Sequence, residues 1–241
     1  MIQVIIISTA FLASILTFFS GFGLGTIMLP TFALFFPIST AIVMTGIVHF
    51  INGIFKVLVV FRHIHLPTLW RFGLLAIPSA FLGAWILTRI EGQSLKLIVG
   101  ILMMIFSILE TFPRLKNISV SSKYLPIGGV LSGFFGGLTG HQGAFRSMFL
   151  IRAGLTKEQF IATGSAFSFF VDLTRLAVYF NNISKLEIGN NTLLLSLTTL
   201  AALSGVIIGN RLLKKVDMKF IRFIVGSAIF ILGLLITLGI V

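Results

Sequence analysis

Residues 20–37 read SGFGLGTIMLPTFALFFP. Three glycines, Gly21, Gly23 and Gly25, precede an apolar arm from Thr26 to Phe36, with Pro30 inside it and Pro37 at its end. The arm, residues 26–36, has 11 residues, about 16 Å as a helix. A bilayer's hydrocarbon core is about 30 Å thick. The arm therefore covers half of it and cannot cross, but it can return from the middle. Glycine supplies the permissive turn for that return. The reading is a re-entrant helical hairpin, whose irregular backbone at depth must be covered by protein or water.

The same build recurs downstream. GFFGGLTGHQG at 133–143 carries Gly133, Gly136, Gly137, Gly140 and Gly143, and a short arm runs on to Ala153. Apolar runs around the two breaks predict helices over 2–19, 39–61, 69–88 and 95–112, then 124–138, 157–180, 191–212 and 219–240. Gly25 and Gly143 are 118 apart, as are Thr45-Gly46 and Thr163-Gly164. Gly83, Arg89, Lys96 and Val99-Gly100 match Gly209, Lys215, Arg222 and Val225-Gly226 at a spacing of 126. One small insertion reconciles the two spacings. The chain divides into a first repeat, 1–112, a polar linker, 113–123, and a second repeat, 124–241. Two half-molecules in one chain are common among secondary transporters.

Composition agrees. The 241 residues include 18 Lys+Arg and 6 Asp+Glu, with 57 % hydrophobic and 10 % charged side chains. Mean hydropathy is +1.11. Soluble domains carry about 25 % charged residues, so a soluble globule, a disordered chain and a disulfide scaffold are excluded. Cysteine is absent, which removes thiol chemistry and Cys-based metal sites. The net charge of +12 reflects topology. With one hairpin per half, twelve basic residues between Arg62 and Arg222 share one face, against Arg89, Lys96 and Lys185 on the other. With single crossings instead of hairpins, the split is 6 against 9. The positive-inside rule favours the hairpins. The fold expected is thus an all-α polytopic membrane protein of two inverted repeats, each a re-entrant hairpin followed by three transmembrane helices. Both termini then face outside, the linker is cytoplasmic, and the N-terminal apolar stretch belongs to the mature protein.

The phrases Gly21-Phe-Gly-Leu-Gly-Thr-Ile-Met-Leu-Pro30 and Gly136-Gly-Leu-Thr-Gly-His-Gln-Gly143, with the two-half layout, resemble the sulfite exporter TauE/SafE (TSUP) family across nearly the whole chain. The resemblance implies membrane transport of small anions: sulfite, sulfonates such as sulfoacetate, or related organic acids. The sequence departs from the family pattern at Leu24, where a glycine is usual, and at His141 and Gln142, where small residues are usual. Met148 also replaces the matching proline. These departures fall in the expected site and leave the substrate open.

The residues give an independent case for an anion site. The returning arms begin at Gly25-Thr26 and at Gly143-Ala144. A helix N-terminus offers unpaired N–H groups and partial positive charge, and two of them can cradle an oxyanion. Alternatively, the glycines serve tight helix packing. Arg146 lies one turn past Gly143, inside the membrane, where a guanidinium can grip two oxygens. A structural pair with Asp172 is the other reading. His141 and Gln142 can donate to an oxyanion, and His141 can carry a coupling proton. The expected substrate contacts are Gly25, Thr26, His141, Gln142, Gly143 and Arg146. Gating or coupling candidates are His49, Asn52, Asp172 and Arg175. For His49 the alternative is packing; Asp172 and Arg175, three apart, can simply pair. Lys56, near its helix end, reads as snorkelling.

No nucleophile elbow, phosphate loop, HExxH or intramembrane carboxylate pair occurs, so no enzyme, cofactor or metal is expected. No basic run is long enough for nucleic acid. Expected partners are a small anion and the lipid bilayer, with a homodimer left open. The expected place is the plasma (inner) membrane of a bacterium or archaeon. A passive anion channel and a non-transporting accessory subunit remain as alternatives.

Overall fold

The computed structural model describes residues 1–20, 23–90, 92–112, 120–151, 153–180, 188–212 and 218–240. Gly21, most of the linker and Arg152 lie outside them. Eleven α-helices are described, with no strand among these residues: α1 Ile2–Ser20, α2 Leu24–Ala33, α3 Ile38–Val60, α4 Leu66–Gly73, α5 Ala76–Leu87, α6 Gly92–Thr111, α7 Leu125–Thr139, α8 Gly143–Leu150, α9 Lys157–Phe180, α10 Thr192–Leu212 and α11 Met218–Thr237.

Four described helical stretches are long and apolar enough to cross a membrane: Ile38–His63, Gly92–Thr111, Lys157–Phe180 and Ile188–Ile208. The bent pair α4 and α5 makes a fifth if counted as one span. The arrangement of polarity fits lipid outside. Trp70, Phe81, Leu193 and Ile231 are exposed, whereas Asn52, His141, Gln142, Asp172 and Arg175 are buried. In water that distribution would be unfavourable on both counts. The chain is an integral membrane protein.

The short arms form the short helices α2 and α8. At 10 and 8 residues they reach about 15 and 12 Å at ~1.5 Å per residue, well under a bilayer core. Helix 69–88 is a correction. The chain there forms α4 and α5, bent by 42°. Pro78 has no N–H for the carbonyl of Leu74, and its ring crowds that turn, so the helix breaks four residues earlier. Gly133 and Gly137 also read differently in three dimensions. They lie within α7, and with Gly129 they face the backbone of Ala76, Ala80 and Phe72. Close packing of α7 against α4 and α5 is their role. Gly140, with φ +87, makes the actual break.

Helix pairing follows a pattern. The most extensive contacts are α5 with α7, α1 with α10, α6 with α11 and α3 with α9. Matching α1–α6 to α7–α11 in chain order, with α4 and α5 taken together, turns the first pair into the second. The other two pairs map onto themselves. Both of these self-matched pairs are antiparallel. Between α3 and α9, Gly46 lies against Arg175 and Phe50 stacks on Phe169, and just past α3 the His65 N–H donates to Thr163 Oγ1 at 3.0 Å. On α6 and α11, Gly100 meets Gly233 and Thr237, while Ser107 Oγ donates to the Gly226 carbonyl.

The same contacts define two ends of the molecule. The end of α3, α4, the start of α7 and the start of α9 gather at one, with Arg62, Arg71, Lys123 and Lys157 exposed there. The end of α2, the start of α6 and the end of α11 gather at the other, with Lys96.

Candidate functional site

The site grows from two polar stripes. Along α3, Thr45, His49, Asn52 and Lys56 recur every three to four residues. Along α9, Gly164, Ser168, Asp172 and Arg175 do the same, with Lys157 two turns before Gly164. A period of 3.6 places each set on one face, and the antiparallel packing turns the faces toward each other. Where small residues leave the space between the helices unfilled, a cavity of about 270 Å³ forms. Gly53, Gly164 and Ser165 line it, with His49, Asn52, Lys56, Arg146, Lys157 and Ser168. It extends from His49, half way along α3, to Val60 and Lys157 at the basic end. Its lining carries three Lys or Arg and no Asp or Glu among the described residues.

Gly23 and Leu24, at the start of α2, form part of the same wall. Gly23 is the N-cap and brings no side-chain cap, while the Thr26 N–H donates back to the Gly23 carbonyl at 3.0 Å. The amides of this first turn add partial positive charge to the cavity. Arg146 enters from α8. It donates to the Gly164 carbonyl at 3.1 Å and to Ser168 Oγ, which fixes the guanidinium at the wall.

Above the cavity the two glycine breaks meet. A side chain on Gly25 would touch Thr45, His49 and the Gly140 carbonyl. A side chain on Gly140 would strike the Arg175 guanidinium. Asp172 joins α9 to α3: Oδ2 lies 2.5 Å from His49 Nδ1, and Oδ1 accepts from Arg175 Nε at 2.9 Å. Tyr179 donates to the Gly137 carbonyl at 2.7 Å. His141 stacks on Phe106 and shares a hydrogen with Thr139. The Nε2 of His141 and both amide atoms of Gln142 are buried without a partner.

The sequence-derived residues thus separate into two groups. Arg146, His49 and Asn52 line the cavity. Gly25, Thr26, His141, Gln142 and Gly143 lie behind it, around the glycine breaks, and none is on its wall. Asp172 and Arg175 do pair, with His49 as a third member, and Asp172 takes neither of the hydrogen bonds found for Arg146. Lys56 is a wall residue, which its place near a helix end concealed. Lys157 and Ser168 were likewise overlooked. The signal that could have found them is the 3.6-residue polar stripe on α3 and α9, since a lipid-facing helix does not carry one. No group of three or more His, Asp or Glu that could hold a metal occurs among the described residues.

The model of the sulfite exporter TauE/SafE family matches residues 6–236. No curated protein and no solved structure matches the chain. With nearly its full length covered, the chain belongs to the TauE/SafE sulfite exporter family.

Proposed function

We propose that this TauE/SafE family member exports a small anion, of the sulfite, sulfonate or related organic-acid class, by alternating access. The observation that carries the proposal is the cavity between α3 and α9. It is lined by Lys56, Arg146 and Lys157, has no Asp or Glu among its described lining residues, and includes Gly23 and Leu24 at the N-terminus of α2. Lys56 and Arg146 face one space partly withdrawn from water, and an anion placed between them would relieve their mutual repulsion. At about 270 Å³ the space lies below the range of drug-sized pockets, ~300–1,000 Å³, which favours a small ligand.

Alternating access rests on two inverted repeats. A two-fold axis in the membrane plane makes equivalent helices antiparallel, whereas an axis along the normal makes them parallel. The antiparallel α3–α9 and α6–α11 pairs support the inverted reading, as does the exchange of α5–α7 with α1–α10. The short helices leave toward opposite ends, α2 beside Lys96 and α8 beside the start of α7. With the basic end in the cytoplasm, the cavity is inward-facing, both termini lie outside, and the protein sits in a plasma membrane. Contacts among Gly46, Asp172 and Arg175 close the outer path.

The test is a thermal-shift screen of the purified protein with sulfite, thiosulfate, sulfoacetate and simple carboxylates. One or more of these anions should raise the melting temperature. Arg146→Ala should weaken that anion about tenfold or more, the size of a lost charge-assisted hydrogen bond. An unchanged response in the variant would reject the site.

A further inference from the structure

His49 stands where the cavity meets the buried ion pair. Its side chain is 13 % exposed and lines the cavity, while that of Asp172 is fully buried. Arg175 holds Asp172 Oδ1 through Nε at 2.9 Å and through a terminal nitrogen at 2.8 Å. The carboxylate so paired can only accept hydrogen bonds. The hydrogen in the 2.5 Å contact to Oδ2 therefore sits on His49 Nδ1. Neutral His49 is then the Nδ1–H tautomer, and the lone pair of Nε2 is free. Nε2 faces Gly23, which is part of the cavity wall.

We infer that His49 Nε2 accepts a proton that crosses with the anion, so that the protein is a proton–anion cotransporter. This rests on the transport reading above. A hydronium ion on the open side breaks one O–H bond, gives its proton to the Nε2 lone pair and leaves as water. The Nδ1–H bond is kept and goes on donating to Asp172 Oδ2. The new N–H points toward the space the anion occupies. Asp172 opposite steadies the imidazolium, as a carboxylate behind a histidine does in general.

The surroundings make the two events interdependent. On α3 and around the cavity, the charged groups are Lys56, Arg146 of α8 and Lys157 of α9. On the far side is Asp172, paired with Arg175 and also acting on Arg146, with Tyr179 one turn further along α9. His141 lies beyond, across from Arg175, and buried Glu110 of α6 acts on Arg146. The α1 and α2 faces present Thr17, Gly23 and Leu24, none of them titratable. A proton on Nε2 alone would add positive charge to a space already faced by Lys56 and Arg146. With an anion present the same proton is attracted. By linkage, each ligand raises the affinity of the other by the same factor.

The experiment is calorimetry of sulfoacetate binding in two cationic buffers of different ionisation enthalpy, so that no buffer anion competes. Sulfoacetate keeps its charge near neutral pH, so any proton taken up goes to the protein. The wild type should take up a fraction of a proton per anion, with affinity falling as pH rises. His49→Gln should bind with no uptake and a flat pH profile; His49→Asn guards against a folding defect in that variant. Uptake of zero in the wild type, or equal uptake in either variant, would overturn the inference. If sulfoacetate fails to bind at every pH while sulfite binds, repeating with sulfite decides after subtracting its own protonation. If no anion binds, the transport reading falls and takes this one with it.

Discussion

At Gly133 a single added carbon would overlap the backbone of Ala76, and Gly129 and Gly137 face Phe72 and Ala80 in the same way. Backbone cannot step aside as a side chain can. Gly133→Val should destabilise the protein by about 1–3 kcal/mol or more, as overpacking does. Gly53, with nothing within 4 Å of its missing side chain, should accept Ala with little change. Thermal unfolding in detergent compares the two. Asp172 offers a second test. Asp172→Asn leaves buried Arg175 without its counter-charge, and breaking such a pair costs about 3–5 kcal/mol. An unaltered melting temperature would mean that Arg175 has another anion to lean on. Much of this was readable from residue types alone: glycines near the break and ionisable groups inside apolar runs. Which glycines pack and which turn was not, because Gly133 and Gly140 differ only in their three-dimensional neighbours and in φ.

Among the elements, α3 and α9 carry the account. Their polar stripes are in the sequence, but a stripe shows only that a face avoids lipid. Which other stripe it meets depends on packing between residues more than a hundred positions apart. Helix ends were legible because Pro37 and Gly140 punctuate them. The α4–α5 bend was not read, although Pro78 marks it. The chain has no cysteine, so single cysteines report one position each. Gly53→Cys and Ser165→Cys, on the cavity wall, should react with a water-soluble maleimide added from the cytoplasmic side. Leu173→Cys, exposed on the outer face of α9, should not. Bound anion should slow labelling at the first two positions. Equal labelling at all three would place α9 differently.

At the scale of the whole molecule, the short arms and the split of basic residues pointed to inverted halves, and the antiparallel matched pairs α3–α9 and α6–α11 support that reading. The cavity itself was beyond reach of the sequence, since its walls come from α1, α2, α3, α8 and α9 together. The central claim is that one anion at a time passes through this cavity. Counterflow of labelled sulfoacetate or sulfite in proteoliposomes tests it most directly. The account predicts saturable uptake, accelerated by unlabelled anion inside and lost in Arg146→Ala. Unsaturable flux with large unitary currents, or wild-type counterflow in Arg146→Ala, would contradict it.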